Sequence, residues 1–255
     1  MKYSNSIARR LRSVSVLAAM IIPISLGMAT AHGAVAIQGT RVVYSEDDSE
    51  QIVKLTNRGD NPALVQNWID AGDPDLAAGS QGVPFLLTPP IVRIEANQGQ
   101  TLRLMHVPDM AEKLPKDRES VFYLNVLEIP PKRERNGENV LQLAVRTRIK
   151  LFFRPGGIVG EPGDAAGTLT WKLVNGRDVH ELIVNNPSSF HVSINEAVVG
   201  GVGIKEPVMV GPLGNARLRL KGMPNEHGRD RVNFEWLDEY GATRSHEASL
   251  HSGTR

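Results

Sequence analysis

From Ala34 onwards, apolar and polar residues alternate with a period of two in run after run. Leu102 and Leu104 are interleaved with Thr101, Arg103 and Met105, and Leu169, Trp171 and Leu173 with Thr170 and Lys172. The second half continues in the same way: Phe190, Val192 and Ile194 alternate with His191, Ser193 and Asn195; Leu218 and Leu220 with Arg217, Arg219 and Lys221; Val232, Phe234 and Trp236 with Asn233, Glu235 and Leu237. Successive side chains of an extended chain point to opposite faces, so each run predicts a strand with one buried face. Turn-forming clusters such as Asn57-Arg-Gly-Asp-Asn-Pro62 separate the runs, which is the pattern of antiparallel β-structure. No long segment carries a helical stripe. Strand runs fill two successive blocks of roughly 100 residues each, predicting an all-β protein of two β-sandwiches. Pro155-Gly-Gly-Ile-Val-Gly-Glu-Pro-Gly-Asp164 cannot be a strand interior and reads as the linker, with a first domain at 34–157 and a second at 158–255.

The first 33 residues follow a different rule. Lys2, Arg9, Arg10 and Arg12 precede an apolar run from about Val14 to Met28, and small residues follow at Ala29, Ala31 and Gly33. This is the layout of a secretory signal peptide, cleaved between His32 and Ala34, and it predicts that the mature chain is exported. The run is too short for a spanning helix, which needs about 20 apolar residues. Roughly 220 residues then remain, enough for two domains that each bury a core. The net charge of +1 gives no reason to expect a nucleic-acid partner, and the absence of cysteine leaves stability to packing alone.

The search for enzymatic chemistry ends without a site. Seven histidines, at 32, 106, 180, 191, 227, 246 and 251, show neither His-Glu-x-x-His nor His-x-His spacing. His106 and His191 fall on the polar phase of alternating runs, which predicts solvent-facing side chains. Ser80 in Gly79-Ser-Gln-Gly82 lacks the nucleophile-elbow spacing. Gly200-Gly-Val-Gly203 has no Lys-Ser after it and reads as a turn, as does the acidic run around Asp47, Asp48 and Glu50. No catalytic residue, metal site, nucleotide or other cofactor is expected.

The stretch Asn139–Pro155 stands out as a strand with two chemistries. Leu141, Leu143 and Val145 sit two apart in its front half, while Arg146, Arg148, Lys150 and Arg154 charge its back half. Taken alone, the cations read as a solvated edge that discourages aggregation.

Just upstream runs Leu114-Pro-Lys-Asp-Arg-Glu-Ser-Val-Phe-Tyr-Leu-Asn-Val-Leu-Glu-Ile-Pro-Pro131. A plain hairpin accounts for its turn, its alternating strand and its terminal prolines. The run nonetheless resembles, along its whole length, the signature of the periplasmic pilus chaperones, the PapD-like family. Val140–Val145 and Ile149–Pro155 resemble that family's next strand, and weaker similarity continues through Trp68-Ile69, Thr88–Arg93, Asn186-Pro187 and Asp238-Glu-Tyr-Gly241. The resemblance implies two immunoglobulin-like domains set in an L, which bind and cap pilus subunits by lending them a strand and deliver them to an outer-membrane usher. It implies that Arg41 and Lys150 anchor the subunit's terminal carboxylate, that Leu141, Leu143 and Val145 fill the subunit's groove, and that Glu119, Arg154 and Asp238 form an interdomain salt bridge. The short hairpin between Pro131 and Val140, without a cysteine pair, implies the short-loop branch, which serves mostly rod-forming pili.

Lys150 lies on the opposite parity from Leu141, Leu143 and Val145, so a bulge or strong twist near Arg146–Arg148 is expected if all are to serve one partner. A secreted two-domain adhesin is the alternative that the pattern leaves open, with a periplasmic hydrolase a distant third. Self-association of the free protein through its apolar strand also remains open.

Overall fold

The computed structural model describes residues 34–75, 82–111, 114–131, 142–175, 180–204, 206–226 and 228–252. Their alternating runs build two sandwiches. In the first, one sheet has the order β1-β3-β7-β5, from β1 (Val35–Ile37), β3 (Gln51–Asn57), β5 (Phe85–Thr88) and β7 (Gly99–His106). The facing sheet has the order β2-β9-β8-β4-β6, from β2 (Arg41–Ser45), β4 (Ala63–Asp70), β6 (Ile91–Ile94), β8 (Ser120–Ile129) and β9 (Val145–Arg154). A single helical turn, α1 (Pro108–Ala111), follows β7. The chain changes sheets between β1 and β2 at Gly39, whose φ of +100° lies in the region that favours glycine.

The second sandwich contains β10 (Thr170–Asn175), β11 (His180–Asn186), β12 (Val192–Val199), β13 (Val202–Ile204), β14 (Val208–Val210), β15 (Gly214–Leu220), β16 (Arg231–Leu237) and β17 (Thr243–Ser252). They form one hydrogen-bonded path, β13-β12-β16-β17-β10-β11-β15, with β14 also on β12. The path is continuous because β17 belongs to both layers. It pairs antiparallel with β16 through Ser249 and then runs parallel to β10 from Leu250 to Ser252.

Each sandwich has its own core. In the first, Leu55, Leu102, Leu104, Leu124, Leu151 and Phe153 are buried between the sheets; in the second, Trp171, Leu182, Val184, Val192 and Phe234 are. The period-two runs thus keep their expected faces, with one change of phase. Register shifts between Ile194 and Glu196, so the buried set passes from Val192 and Ile194 to Ala197 and Val199. An extra residue in one strand of an antiparallel pair has this effect. The turn expected at Asn57–Pro62 is organised by Asn57, fully buried, whose Oδ1 accepts from the Gly59 N–H while its Nδ2 donates to the carbonyls of Asn61 and Ile94. Asn186 plays the same part in the second sandwich, accepting from the Ser188 N–H and donating to the carbonyl of Phe190.

Two expectations need correction. The strand expected over Asn139–Pro155 begins at Val145, and Gln142, Leu143 and Ala144 lie outside it, with the Gln142 amide donating to the carbonyls of Pro130 and Pro131. Leu141 falls outside the described residues. His106 does not face solvent: it lies at the end of β7 against Phe153, Phe85 and Tyr44, with ring centroids 4.6, 5.9 and 6.1 Å away. Burial, only partly opposed by Glu46, pulls its pKa below the ordinary 6.5. At the end of a strand, a neighbouring aromatic cluster decides a side chain's surroundings more than parity does.

Tyr44 ties this cluster together, donating to the carbonyl of Asp48 and accepting from the His106 N–H. Tyr44→Phe strips both partners while keeping the ring, so it is expected to lower the free energy of unfolding by about 1–3 kcal/mol in a urea titration.

Candidate functional site

β9 is the strand on which the expected site residues converge. Its register with β8 is unbroken from Val145 opposite Glu128 to Phe153 opposite Ser120. Strict alternation therefore holds throughout. Ile149, Leu151 and Phe153 face the sandwich core, and Val145 continues that phase where it is 39% exposed; Leu143, two residues further back, is 60% exposed. Arg146, Arg148, Lys150, Phe152 and Arg154 occupy the other face. The bulge expected near Arg146–Arg148 is absent, because the strand separates its two chemistries onto two faces instead of bringing them onto one.

The edges of β9 differ along its length. β8 covers one edge throughout, but β2 covers the other only where Arg41–Ser45 run parallel to Lys150–Arg154. Among the described residues, no strand pairs with Val145–Ile149 on that side. Half of β9 is thus an open edge, and it ends where β2 begins.

Arg41 and Lys150 mark that boundary. They are register partners on adjacent parallel strands, so their side chains leave the same face in one row. Both meet the second sandwich: the Lys150 ammonium donates to Ser193 Oγ at 3.0 Å, and the Arg41 guanidinium to the carbonyl of Leu237 at 3.4 Å. The buried Nε of Arg41 has no hydrogen-bond partner among the described residues. Burial, and then the charge of Arg41, pull the Lys150 pKa below its ordinary 10.5. Burial likewise lowers the pKa of Arg41 against the opposing pull of Asp238 and Glu119. Two partly desolvated cations on neighbouring strands form a pair suited to an anion with two oxygens.

Glu119 and Arg154 meet at the junction of the sandwiches. Arg154 Nε donates to Glu119 Oε1 at 2.9 Å, and the other carboxylate oxygen accepts from the His191 N–H at 2.9 Å and lies 2.8 Å from His191 Nδ1. The Glu119 N–H donates to the carbonyl of Ser189. Arg154 also pairs with Glu239 and lies over the ring of Phe190. The expected third partner, Asp238, does not contact Arg154. Its carboxylate closes its own turn instead, accepting from the N–H groups of Tyr240 and Ala242 and from Arg244. The acid one residue later takes its place, since only that side chain leaves the turn toward Arg154. His191 is likewise not solvent-facing: its side chain is 7% exposed, held by Glu119 and packed on Phe152. The sequence reading missed Glu239, His191 and Ser193 because all three owe their roles to a domain contact, and period-two patterning carries no trace of that.

Two mainly antiparallel sandwiches, joined through buried charges and flanked by an open basic strand edge, describe a two-domain β-protein built to receive another chain. Comparison with known proteins gives the family. Residues 34–159 match the pili and flagellar-assembly chaperone, PapD N-terminal domain, and residues 164–248 the pili assembly chaperone PapD, C-terminal domain. The chain is 41% identical over 249 residues to the chaperone protein FimB/FhaD of Bordetella pertussis, covering 95% of this chain and 97% of that protein. It is 39% identical over 222 residues to the probable fimbrial chaperone YadV of Escherichia coli K12, covering 85% and 89%. Among solved structures, a chain of the Salmonella enterica SafA pilin in complex with the SafB chaperone aligns with a TM-score of 0.72 at 29% identity, covering 87% of this chain and 99% of that one. The chain belongs to the PapD-like pilus-assembly chaperone family, which is periplasmic, and this takes the place of the adhesin alternative.

Three outcomes follow from the junction and the cationic pair. Removing Glu119 leaves Arg154 with Glu239 alone and the buried His191 donors without an acceptor, so Glu119→Ala is expected to lower the free energy of unfolding by about 3–5 kcal/mol. Glu239 is more exposed, and Glu239→Ala is expected to cost about 1 kcal/mol or less in the same urea titrations. Lys150 has a folded-state pKa below its unfolded value, so its charge opposes folding at neutral pH, and the opposition fades as pH rises through both values. Lys150→Met should therefore melt at or above the wild-type temperature at pH 7, with the gap closing above the ordinary lysine pKa.

Proposed function

We propose that this protein is a periplasmic chaperone that captures fimbrial subunits by lending them the open edge of β9 and passes them to an outer-membrane usher. The observation that carries the reading is the half-covered strand: an unpaired edge at Val145–Ile149 that ends at the paired cations Arg41 and Lys150. An incoming strand hydrogen-bonds along the edge, and its main-chain bonds are indifferent to its sequence. Leu141, Leu143 and Val145 enter the subunit's apolar groove, each contributing about 1.5–3 kcal/mol where fully buried. The subunit's terminal carboxylate sits on Arg41 and Lys150 and fixes which residue pairs with which. Charge-assisted bonds of this kind contribute about 1.5–3 kcal/mol each.

The rest of the assignment follows from this reading. Residues 1–33 export the chain and are removed. The first domain, 34–157, carries the edge, and the second, 158–255, completes the cationic cleft, with Glu119 and Arg154 as the interdomain lock and Glu239 in the place first given to Asp238. Capture and release exchange one strand for another, so no covalent bond of the subunit is made or broken and no nucleotide or metal is required.

The test is co-expression in the periplasm with a fimbrial subunit, followed by affinity purification of wild type and Lys150→Ala, with a thermal melt of each. Wild type is expected to bring down the subunit in equimolar amount and Lys150→Ala none, with melts alike. Equal recovery by both would remove the carboxylate anchor, and no recovery by either would remove the capture reading. The sign of the Lys150 shift adds a second readout. A bound carboxylate raises a pKa that burial had lowered, so affinity is expected to fall as pH rises through the free protein's Lys150 pKa.

A further inference from the structure

The face of β9 that bears the arginines shows a construction that carboxylate anchoring does not use. Arg148 lies across the ring of Tyr123, its guanidinium carbon 3.5 Å from the centroid, and reaches Asp70 with two bonds, Nε to Oδ2 at 3.0 Å and an NH2 group to Oδ1 at 2.6 Å. Arg146 lies over Trp68 at 4.9 Å, donates twice to Asn125 Oδ1 at 2.9 and 2.7 Å, and donates to the carbonyl of Pro74 at 2.6 Å. The acceptors are themselves fixed. Asp70 and Asn125 are buried on β4 and β8, and the Asn125 amide donates to Asp70 Oδ2 at 2.7 Å. Burial opposes the charge on Asp70, but the bonds from Arg148, Asn125 and the Gly72 N–H outweigh it and hold its pKa below the ordinary carboxylate value.

Both arginines sit in the half of β9 that has only one neighbouring strand. Beyond Ile149 the strand is held on both sides, by β8 and β2; before it, β8 alone supplies main-chain bonds. Side chains on a solvated edge would extend into water, whereas these two fold back onto the sheet, with exposures of 30% and 23%. The planar guanidinium suits both the flat rings and the two-pronged acceptors in a way that an ammonium does not.

We propose that Arg146 and Arg148 are positioning residues that keep the open half of β9 extended and in register before any partner arrives, by stapling its far face to Asp70, Asn125 and Trp68. The inference rests on the strand-lending reading. An edge that is already straight spares the incoming chain the entropy of straightening it, so the staple acts on the rate of capture.

Hydrogen exchange of the free protein, read by mass spectrometry, tests the staple without any subunit. In Arg146→Gln, and in the Asp70→Asn/Arg148→Gln double variant that removes the buried carboxylate together with its two-bonded partner, exchange across residues 145–149 is expected to quicken about tenfold while residues 150–154 stay as in wild type. Capture of the co-purifying fimbrial subunit, diluted from denaturant into each chaperone, is expected to slow by a similar factor; Lys150→Ala should lose capture with normal exchange. Unchanged exchange at 145–149, exchange that quickens equally at 150–154, or capture at the wild-type rate would each overturn the proposal. A wild type with a protected edge that captures nothing would instead overturn the strand-lending reading, and the purpose assigned to the arginines with it.

Discussion

The structure turns on one carboxylate. Glu119 stands at the start of β8, buried between the sandwiches, and shares its two oxygens between Arg154 of the first and His191 of the second. Because β8 and Arg154's own strand are neighbours, this contact fixes the sheet that carries the open edge against the domain that closes the cleft. Ser193 and the carbonyl of Leu237, the second domain's contributions to Lys150 and Arg41, follow His191 on β12 and end β16. Their reach to the first domain depends on the same joint. A bare ion pair in this place would cost more in desolvation than it returns. Here every carboxylate oxygen has a donor, and the joint gains direction as well as attraction.

β9 keeps two jobs apart by geometry. One face continues the core and runs out into exposed apolar residues at its open end; the other carries only cations and Phe152, turned toward the cleft or folded onto the sheet. An unbroken register makes this separation automatic, since side chains two apart share a face. A bulge would have mixed the faces. The apparent conflict between Lys150 and the apolar positions therefore follows from assigning them to one surface, when the strand meets its partner along an edge to which both faces are adjacent.

Much of this was legible in the sequence, for reasons that can be traced. The alternation around Leu102, Trp171 and Phe234 reports burial on one face directly, and the two sandwiches follow from it. Arg41 and Lys150 were reached through a family resemblance, and nothing in their local pattern separates them from other basic strand residues; their adjacency depends on a parallel pairing of segments more than 100 residues apart. Asp238 was reached through the same resemblance, and only the turn decides which of two adjacent acids points outward. His106 and His191 were misplaced for a related reason. Parity predicts a face but not what lies beyond it, and in one case that was an aromatic cluster, in the other a second domain.

The start of β2 opposite Lys150 gives the open edge an asymmetric shape, with a wall at one end and, among the described residues, no paired strand at the other. β2 occupies this edge of β9 from Lys150 onward, so a chain lying along the open half meets Arg41 at that end. On the proposed capture, such an edge would measure where a polypeptide stops rather than what it spells. Variation in the side chains of a guest would be absorbed, while the addition of even one residue beyond its natural end would push every later pairing out of step and turn its apolar side chains to the wrong side.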